Sequence, residues 1–485
     1  MSGPLVVLGD TLLDRDLDGR VERLAPDAPV PVVDEPDERC RPGGAGLAAV
    51  LAARDGRREV VLITALAEDP AGHELAKLLA SAGVRVVDLG LSGSTCEKVR
   101  VRAEGRSLLR MDRGGELGTV GPLGADGLRA LALAGAVLVA DYGRGVAAQP
   151  SVREAVRRTP SRVPVVWDPH PRGATPVAGV RLATPNQAEA ARLVPGVRGD
   201  SLAAVATRAR AVMERWRAAG VAVTLGARGA LLLGGTGPPL MAPARPAPGG
   251  DPCGAGDSFA ATAAMLLADG AVPSEAVVGA VAAASAFVAA GGAASWNPRG
   301  EEVRARGGRP GADHRGDGQP AARSHQAADA TGWERAKTVL AEVRARNGTV
   351  VATGGCFDLV HAGHVATLRG ARVLGDCLIV CLNSDASVRR LKGPDRPLVG
   401  QADRAAVLAA LACVDAVVVF DEATPEAALD RLRPDVFVKG GDRALSDLPE
   451  AALLASWGGQ AVVLPYLPDR STTRLMKEVA RRANH

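Results

Sequence analysis

Gly355-Cys356-Phe357-Asp358-Leu359-Val360-His361-Ala362-Gly363-His364 is the stretch whose reading decides the second half of this chain. An apolar run, Thr349 to Thr353, precedes it and reads as a buried strand. Val365 to Leu374 follows and reads as a helix. Two imidazoles three positions apart, with a glycine between, therefore stand on the turn entering a helix. A helix start offers unpaired backbone N–H groups and a partial positive charge, both of which attract phosphate. The histidines add donors for charge developing on a phosphate in transfer. Two ordinary surface histidines, or a metal pair, is the competing reading, and the downstream sequence weighs against it.

Downstream, apolar strands are expected at Val350–Ala352, Leu378–Leu382, Ala416–Phe420, Val436–Val438 and Ala461–Leu464. Helical segments such as Arg404–Ala412 and Pro425–Leu432 lie between them. Continuous apolar strands alternating with helices mean a parallel sheet covered on both faces, with ligands at the carboxyl ends of the strands. The polar clusters obey that rule. Asn383-Ser384-Asp385 follows the second strand and Lys439-Gly440-Gly441-Asp442 the fourth, while Ser471-Thr472-Thr473-Arg474 follows the fifth and opens the last helix. Lys392-Gly393 and Arg396 read as a loop with cations for a triphosphate or a sugar phosphate, against the plain alternative of solvated surface charge. Ser471 to Thr473 reads as a helix cap, whose hydroxyls and amides also cradle phosphate. Asp358 either holds Mg²⁺ or fixes the turn.

The first block carries Asp251-Pro252-Cys253-Gly254-Ala255-Gly256-Asp257-Ser258-Phe259, then an apolar helix, Ala260 to Ala268. Small residues let backbone N–H groups approach a phosphate, and Asp257 is placed to take a proton from an attacking hydroxyl. A plain turn before a core helix is the bland alternative. Other features accompany it. Gly9-Asp10 ends a strand, Leu5–Leu8, and Asp14 follows; turn and cap chemistry would also explain these acids. Arg41-Pro42-Gly43-Gly44-Ala45 reads as a glycine-rich loop before a helix, and Thr184-Pro185-Asn186 with Glu189 lies after a strand. No G-K-[ST] loop exists, which excludes a P-loop kinase.

Composition sets the outer limits. A chain of 485 residues accommodates two or three domains. The net charge of +4, from 58 basic and 54 acidic residues, is too balanced to argue for nucleic acid or membrane binding. Aromatics at 2% leave no stacking surface for single strands. Seven cysteines without a C-x-x-C pair suggest free thiols and a cytoplasmic location. The start, Met1-Ser2-Gly3-Pro4, lacks a signal-peptide layout, and no strongly apolar run reaches the roughly 20 residues of a bilayer span. Ala276 to Ala290 is apolar, but rich in Gly and Ala, and reads as a packed core helix. Residues 301–330 are Gly, Pro, Ala and charge, the composition of a mobile linker. The expected division is therefore residues 1–300, a linker at 301–330, and residues 331–485.

Residues 349 to 480 resemble the adenylyltransferase half of the bifunctional heptose kinase/adenylyltransferases that make ADP-heptose. The matching strings are the H-x-G-H stretch, Asn383-Ser384-Asp385-Ala386-Ser387, Arg390-Leu391-Lys392-Gly393, Val438-Lys439-Gly440-Gly441-Asp442 and Ser471-Thr472-Thr473. The resemblance implies AMP transfer from ATP to a sugar 1-phosphate, releasing pyrophosphate, with Mg²⁺ assisting. It gives His361 and His364 the catalytic part. It gives nucleotide and phosphate contacts to Gly355, Phe357, Asp358, Lys392, Arg396, Lys439, Gly440, Asp442, Ser471, Thr472 and Thr473.

Residues 4 to about 298 are similar to the ribokinase-like sugar kinases, and most of all to the heptose 7-phosphate kinase half of the same enzymes. Arg23-Leu24-Ala25-Pro26-Asp27-Ala28-Pro29-Val30-Pro31-Val32-Val33, Glu97-Lys98-Val99-Arg100 and Asp141-Tyr142-Gly143-Arg144-Gly145 carry that likeness. The implied fold is α/β throughout: an N-terminal ribokinase-like three-layer α/β/α domain and a C-terminal Rossmann-like H-x-G-H nucleotidyltransferase domain. By position, Asp257 becomes the base and Gly254, Ala255 and Gly256 the anion hole. Asp10, Asp14, Gly43 and Gly44 hold sugar hydroxyls, and Lys98 and Arg100 face the substrate phosphate. Asn186 and Glu189 organise Mg²⁺ and the ATP phosphates. A homodimer through the kinase domain is expected, with residues 17 to 33 contributing an extra sheet. A separate phosphatase must act between the two steps, because no third catalytic constellation is present. Departures exist: Leu47 stands where asparagine is usual, His170 where lysine is, Gly226 where a polar or basic residue is, and Gly355 where asparagine is common. The alternatives are another sugar or polyol phosphate, CTP in the second site, or one half, the kinase first, kept only as a binding or oligomerisation module.

Overall fold

The computed structural model describes residues 3–103, 106–114, 118–235, 237–248, 250–296, 332–440 and 448–465. They form two compact units, one drawn from residues up to 296 and the other mainly from residue 332 onward. The expected linker, 301–330, lies outside the described residues.

The first unit is built on eight strands in the spatial order Ala230–Gly234, Gly220–Thr224, Leu182–Ala183, Val165–Asp168, Ala136–Ala140, Leu5–Gly9, Val60–Thr64 and Arg85–Asp88. All neighbours run parallel except Ala230–Gly234 against Gly220–Thr224. Leu5–Gly9, Ala136–Ala140 and Val60–Thr64 are buried at every position, as near-continuous apolar runs in a doubly covered sheet must be. Leu5–Gly9 is flanked by one strand that follows it closely and one that follows much later. That is a switch point, and ligand sites form at the carboxyl ends beside such points. Asp10, Tyr142, Asp168 and Asn186 all stand at or just beyond those ends.

A second sheet orders Pro31–Gly44, Thr11–Leu24, Glu97–Ala103 and Arg106–Arg113. Its register sets Asp14 opposite Arg41 on one side and Lys98 on the other. Residues 41–44, expected as a loop, are the end of the strand Pro31–Gly44. Thr11 to Asp14 supplies partners for their backbone groups, so the glycines read as loop formers are ladder residues that give close approach instead. Leu24, Leu108 and Leu109 of this sheet are exposed.

The second unit orders Ala416–Phe420, Cys377–Asn383, Val350–Gly355, Val436–Gly440 and Gln460–Leu464, all parallel. Its five strands fall where the apolar runs place them. The helix before Thr349, Gly332–Ala345, packs Ala336, Val339, Leu340 and Val343 into the core at helical spacing. Two helices start three residues earlier than expected. Ala362–Arg372 begins directly after His361, which caps it, and Gln401–Ala409 takes in Arg404 as a buried residue. Lys392, expected in a loop, ends the helix Asp385–Lys392.

Gly44 holds φ +62°, and a Cβ there would lie 2.5 Å from the Asp10 carbonyl oxygen. Gly44→Ala is therefore expected to destabilise the first unit by about 1–3 kcal/mol. Calorimetry of the full chain checks this: one transition moves down by several degrees, and an unchanged thermogram contradicts it.

Candidate active sites

In the first unit, the helix Ala255–Ala268 begins directly after Gly254, which holds φ +80°. A Cβ on Gly254 would lie 2.7 Å from Leu47 Cδ2, so both backbone and space demand glycine. Leu47 is buried there as core packing. Ala255 and Gly256 fill the first two helical positions, and nothing lies within 4 Å of where a Gly256 Cβ would stand. The Ala255 N–H donates to Pro252 O at 3.0 Å, so an anion would meet the partial positive charge of the helix start and the uncrowded Gly256. Asp257 is the third helical residue, only 6% exposed. Burial pushes its carboxyl up to about 7; the Tyr142 hydroxyl and Lys98 oppose that rise, and the charge of Asp14 adds to it. Tyr142 Oη donates to Asp257 Oδ1 at 2.7 Å. A carboxyl poised near neutrality beside an anion-binding helix start suits a general base.

The other acids hold the frame. Asp10 Oδ2 accepts from the N–H groups of Tyr142 (3.1 Å) and Arg144 (2.9 Å), and Oδ1 from that of Val146 (3.0 Å). Both oxygens expected to meet sugar hydroxyls are thus engaged by the 142–146 loop. Asp141 accepts from Gly143 N–H at 2.8 Å and Ala174 N–H at 2.6 Å, and burial raises it to about 6. Asp168 accepts from Thr184 Oγ1 at 2.8 Å; burial, and then the nearby Asp257, hold it well above the carboxylate range. Asp14 is buried and accepts from Arg100 Nη1 at 2.6 Å. Arg100, expected to meet a substrate phosphate, is turned to this carboxylate, with Asp16 Oδ1 at 3.9 Å. A Cβ on Gly43 would meet Asp14 Oδ2 at 2.7 Å, so the glycine leaves room for that acid.

Asn186 and Glu189 form a reciprocal cap on the helix Gln187–Leu193: Asn186 N–H donates to Glu189 Oε2 at 2.8 Å and Glu189 N–H to Asn186 Oδ1 at 2.9 Å. Burial raises the Glu189 carboxyl. Lys98 lies over the Tyr142 ring, 5.6 Å from its centroid. With Arg110, Arg144, His170, Arg172 and Asp112 it lines a cavity of about 370 Å³. The sequence reading assigned no role to Arg110, Arg144, Arg172 or Tyr142. Only the pairing of Glu97–Ala103 with Arg106–Arg113, and the loops after Ala140 and Asp168, bring them to one cavity.

In the second unit, His361 caps the helix Ala362–Arg372 and His364 is its third residue. His361 Nδ1 accepts from Gly363 N–H at 3.1 Å, and His364 Nδ1 accepts from His361 N–H at 3.4 Å. With each Nδ1 accepting, the neutral rings carry their protons on Nε2, as donors. The ring centroids are 4.0 Å apart. Burial, then His361 and Lys392, lower the His364 pKa to about 4, so it is neutral at physiological pH. Phe357 holds φ +44° and lays its ring against His364, centroids 5.3 Å apart. A Cβ on Gly355 would meet that ring at 3.1 Å.

Asp358 is buried and grips the segment that follows Lys392. Oδ1 accepts from the N–H groups of Leu398 (2.7 Å) and Val399 (3.1 Å), and Oδ2 pairs with Arg396. Arg404, unassigned in the sequence, takes the same segment from the other side. Its fully buried guanidinium donates to Val399 O (2.9 Å), Asn383 O (2.9 Å), Asp385 Oδ1 (2.6 Å) and Cys356 O. One side chain thus ties the H-x-G-H loop to the Asn383–Asp385 turn and the Arg396 segment. Lys439 Nζ donates to Glu450 Oε1 at 3.0 Å, and Gly440 abuts Thr367, where a Cβ would come within 2.9 Å. Asp442, Ser471, Thr472 and Thr473 lie outside the described residues.

Residues 4–299 match the model of the pfkB family carbohydrate kinases, and residues 352–475 that of the cytidylyltransferase-like family. The chain is 56% identical to the bifunctional protein HldE of Streptomyces coelicolor, over 98% of this chain and 96% of that one. It is 37% identical to the bifunctional protein HldE of Azorhizobium caulinodans, over 98% and 97%. A solved Arabidopsis thaliana ribokinase complexed with ribose and ATP overlays 59% of this chain and 93% of its own, at 23% identity and a TM-score of 0.48.

Asp257 must be ionised to accept a proton, and its carboxyl titrates at about 7. The kcat/KM of phosphoryl transfer is expected to rise with pH through that region and level off above it; a rate flat from pH 5 to 8 contradicts this. Arg404→Leu leaves Asp385 and three carbonyls without their donor. It is expected to cost about 3–5 kcal/mol in denaturant unfolding of the second unit, and a loss under 1 kcal/mol contradicts the tie.

Proposed function

The chain belongs to the bifunctional HldE family, and we propose that its two sites act in succession in ADP-heptose synthesis. It is a bifunctional enzyme, a sugar kinase and a nucleotidyltransferase, and ATP is the substrate of both halves. The kinase phosphorylates D-glycero-β-D-manno-heptose 7-phosphate at O1. The adenylyltransferase moves AMP from ATP to D-glycero-β-D-manno-heptose 1-phosphate, giving ADP-heptose and pyrophosphate. A separate phosphatase removes the 7-phosphate between the two steps. The proposed division is a kinase at 1–300, a linker at 301–330 and an adenylyltransferase at 331–485.

The observation that carries this reading is the pair of helix starts, Gly254-Ala255-Gly256-Asp257 and His361-Ala362-Gly363-His364, each with its reactive side chain as third helical residue. In the kinase, the helix start at Gly254-Ala255-Gly256 receives the transferred phosphoryl group and Asp257 takes the proton of the sugar O1 hydroxyl. The cavity lined by Lys98, Arg110, Arg144, His170 and Arg172 suits the sugar's own phosphate. In the adenylyltransferase, the sugar 1-phosphate attacks the α-phosphorus of ATP and pyrophosphate leaves, with no covalent enzyme intermediate. His361 and His364, donating from Nε2, stabilise charge on the phosphates; Arg396 and Lys392 add cations. Among the described residues no group of three or more His, Cys, Asp or Glu is gathered as for a metal. Mg²⁺ carried on ATP phosphates needs only one or two carboxylates, and Glu189, with one oxygen on its own cap, has the other to offer. Mg²⁺ there would neutralise phosphate charge.

The exposed leucines of the four-stranded sheet support a homodimer through the kinase. We place the enzyme in the cytoplasm; among the described residues no helix is long and apolar enough to cross a membrane.

Two substitutions test the assignment in the full chain. Asp257→Asn is expected to lower kinase turnover by at least about 10² while adenylyl transfer stays near the parent rate. His361→Ala is expected to do the reverse. If either change removes both activities in a folded protein, the two sites are not independent and the reading fails.

A further inference from the structure

Tyr142 is held on every side. Asp10 fixes the backbone at Tyr142, Arg144 and Val146, and Asp141 fixes Gly143 and Ala174. The Tyr142 ring closes on Gly44, where a Cβ would stand 3.3 Å from Cδ2. It stacks with His170 at a centroid distance of 6.2 Å and an interplanar angle of 23°, and Lys98 lies over it. Its hydroxyl ends on Asp257 Oδ1. The same ring lines the cationic cavity. One side chain therefore spans from the base to the cavity proposed for the sugar phosphate.

We propose that Tyr142 is a positioning residue for phosphoryl transfer, which pins Asp257 Oδ1 so that Oδ2 meets the sugar O1 hydroxyl, and whose ring is the wall against which the sugar lies. This rests on the kinase reading above. A hydroxyl donated to a carboxylate favours its ionised form, so Tyr142 keeps the base available at a lower pH than burial alone would allow. The groups facing Asp257 are Asp14 and Asp168, which oppose ionisation, and Lys98 and Tyr142, which favour it. Tyr142 itself stays protonated; burial and then Asp257 raise its pKa well above the usual phenol value. The two parts of the role separate by substitution. Tyr142→Phe removes the donor and keeps the wall, whereas Tyr142→Ala removes both.

The test is the pH profile of kcat and kcat/KM for the sugar phosphate in the full chain, for the parent, Tyr142→Phe and Tyr142→Ala. Adenylyl transfer by the same preparations reports on folding and concentration. For Tyr142→Phe the acid limb is expected to move up by about one pH unit. Its kcat at pH 7 is expected to fall about tenfold, with KM at high pH within about twofold of the parent. For Tyr142→Ala, KM rises as well. A Tyr142→Phe profile that superimposes on the parent's, with only the melting temperature lowered, would overturn the proposal and leave Tyr142 a packing residue. A parent chain that phosphorylates no heptose phosphate would overturn the kinase reading itself, and this proposal with it.

Discussion

On the proposed reading, both chemistries work at a helix N-terminus lined by small residues. Phosphate binds the unpaired N–H groups of a first helical turn only where no side chain shields them. In each unit the cap is followed by Ala and Gly, and the third residue is titratable: Asp257 in one, His364 in the other. The caps differ with the task. Gly254, in a left-handed conformation, turns the chain sharply with no side chain of its own. His361 lends its own ring to the cap, its Nδ1 accepting from the Gly363 N–H. The parallel sheets exist, for function, to deliver these turns to the carboxyl ends of apolar strands.

Holding such turns requires buried charge, and the two units solve that differently. The first unit uses carboxylates against backbone N–H groups: Asp10 and Asp141 between them fix the 141–146 loop and the chain at Ala174. Burial, and then the neighbouring acids, drives Asp257 and Asp168 upward, which brings Asp257 near neutrality. The second unit uses a cation against carbonyls. Arg404 gathers the oxygens of Cys356, Asn383 and Val399 and is neutralised by Asp385. A guanidinium suits this work because its donors fan out in one plane, whereas an ammonium presents a point charge.

The sequence was legible where one periodicity decides one element. The five strands of the second unit and the first strand of the chain follow from apolar runs, whereas the helices expected from Ala260 and Val365 start earlier, at Ala255 and Ala362, because the small residues and His364 are already helical. It was less legible where one signal has two structural answers. Arg41 to Gly44 reads as a loop because glycines favour loops, yet here they end a strand and give Asp14 and Asp10 close neighbours. Arg404 marks only the start of an expected helix in the sequence; its burial depends on the nearby Val399 carbonyl and on those of the distant Cys356 and Asn383. Arg100 looks like a phosphate ligand until the strand register brings it to Asp14. Tyr142, Arg110 and Arg172 meet only in three dimensions, so no linear pattern marks them as a group.

The most direct measurement is ³¹P NMR of the purified chain with Mg-ATP and D-glycero-β-D-manno-heptose 7-phosphate in one tube, and with the 1-phosphate in another. The account predicts a 1,7-bisphosphate and ADP in the first, and pyrophosphate with ADP-heptose in the second. Unchanged heptose 7-phosphate in the first tube would contradict the kinase assignment. Reaction of the second tube with CTP in place of ATP, and not with ATP, would contradict the adenylyltransferase.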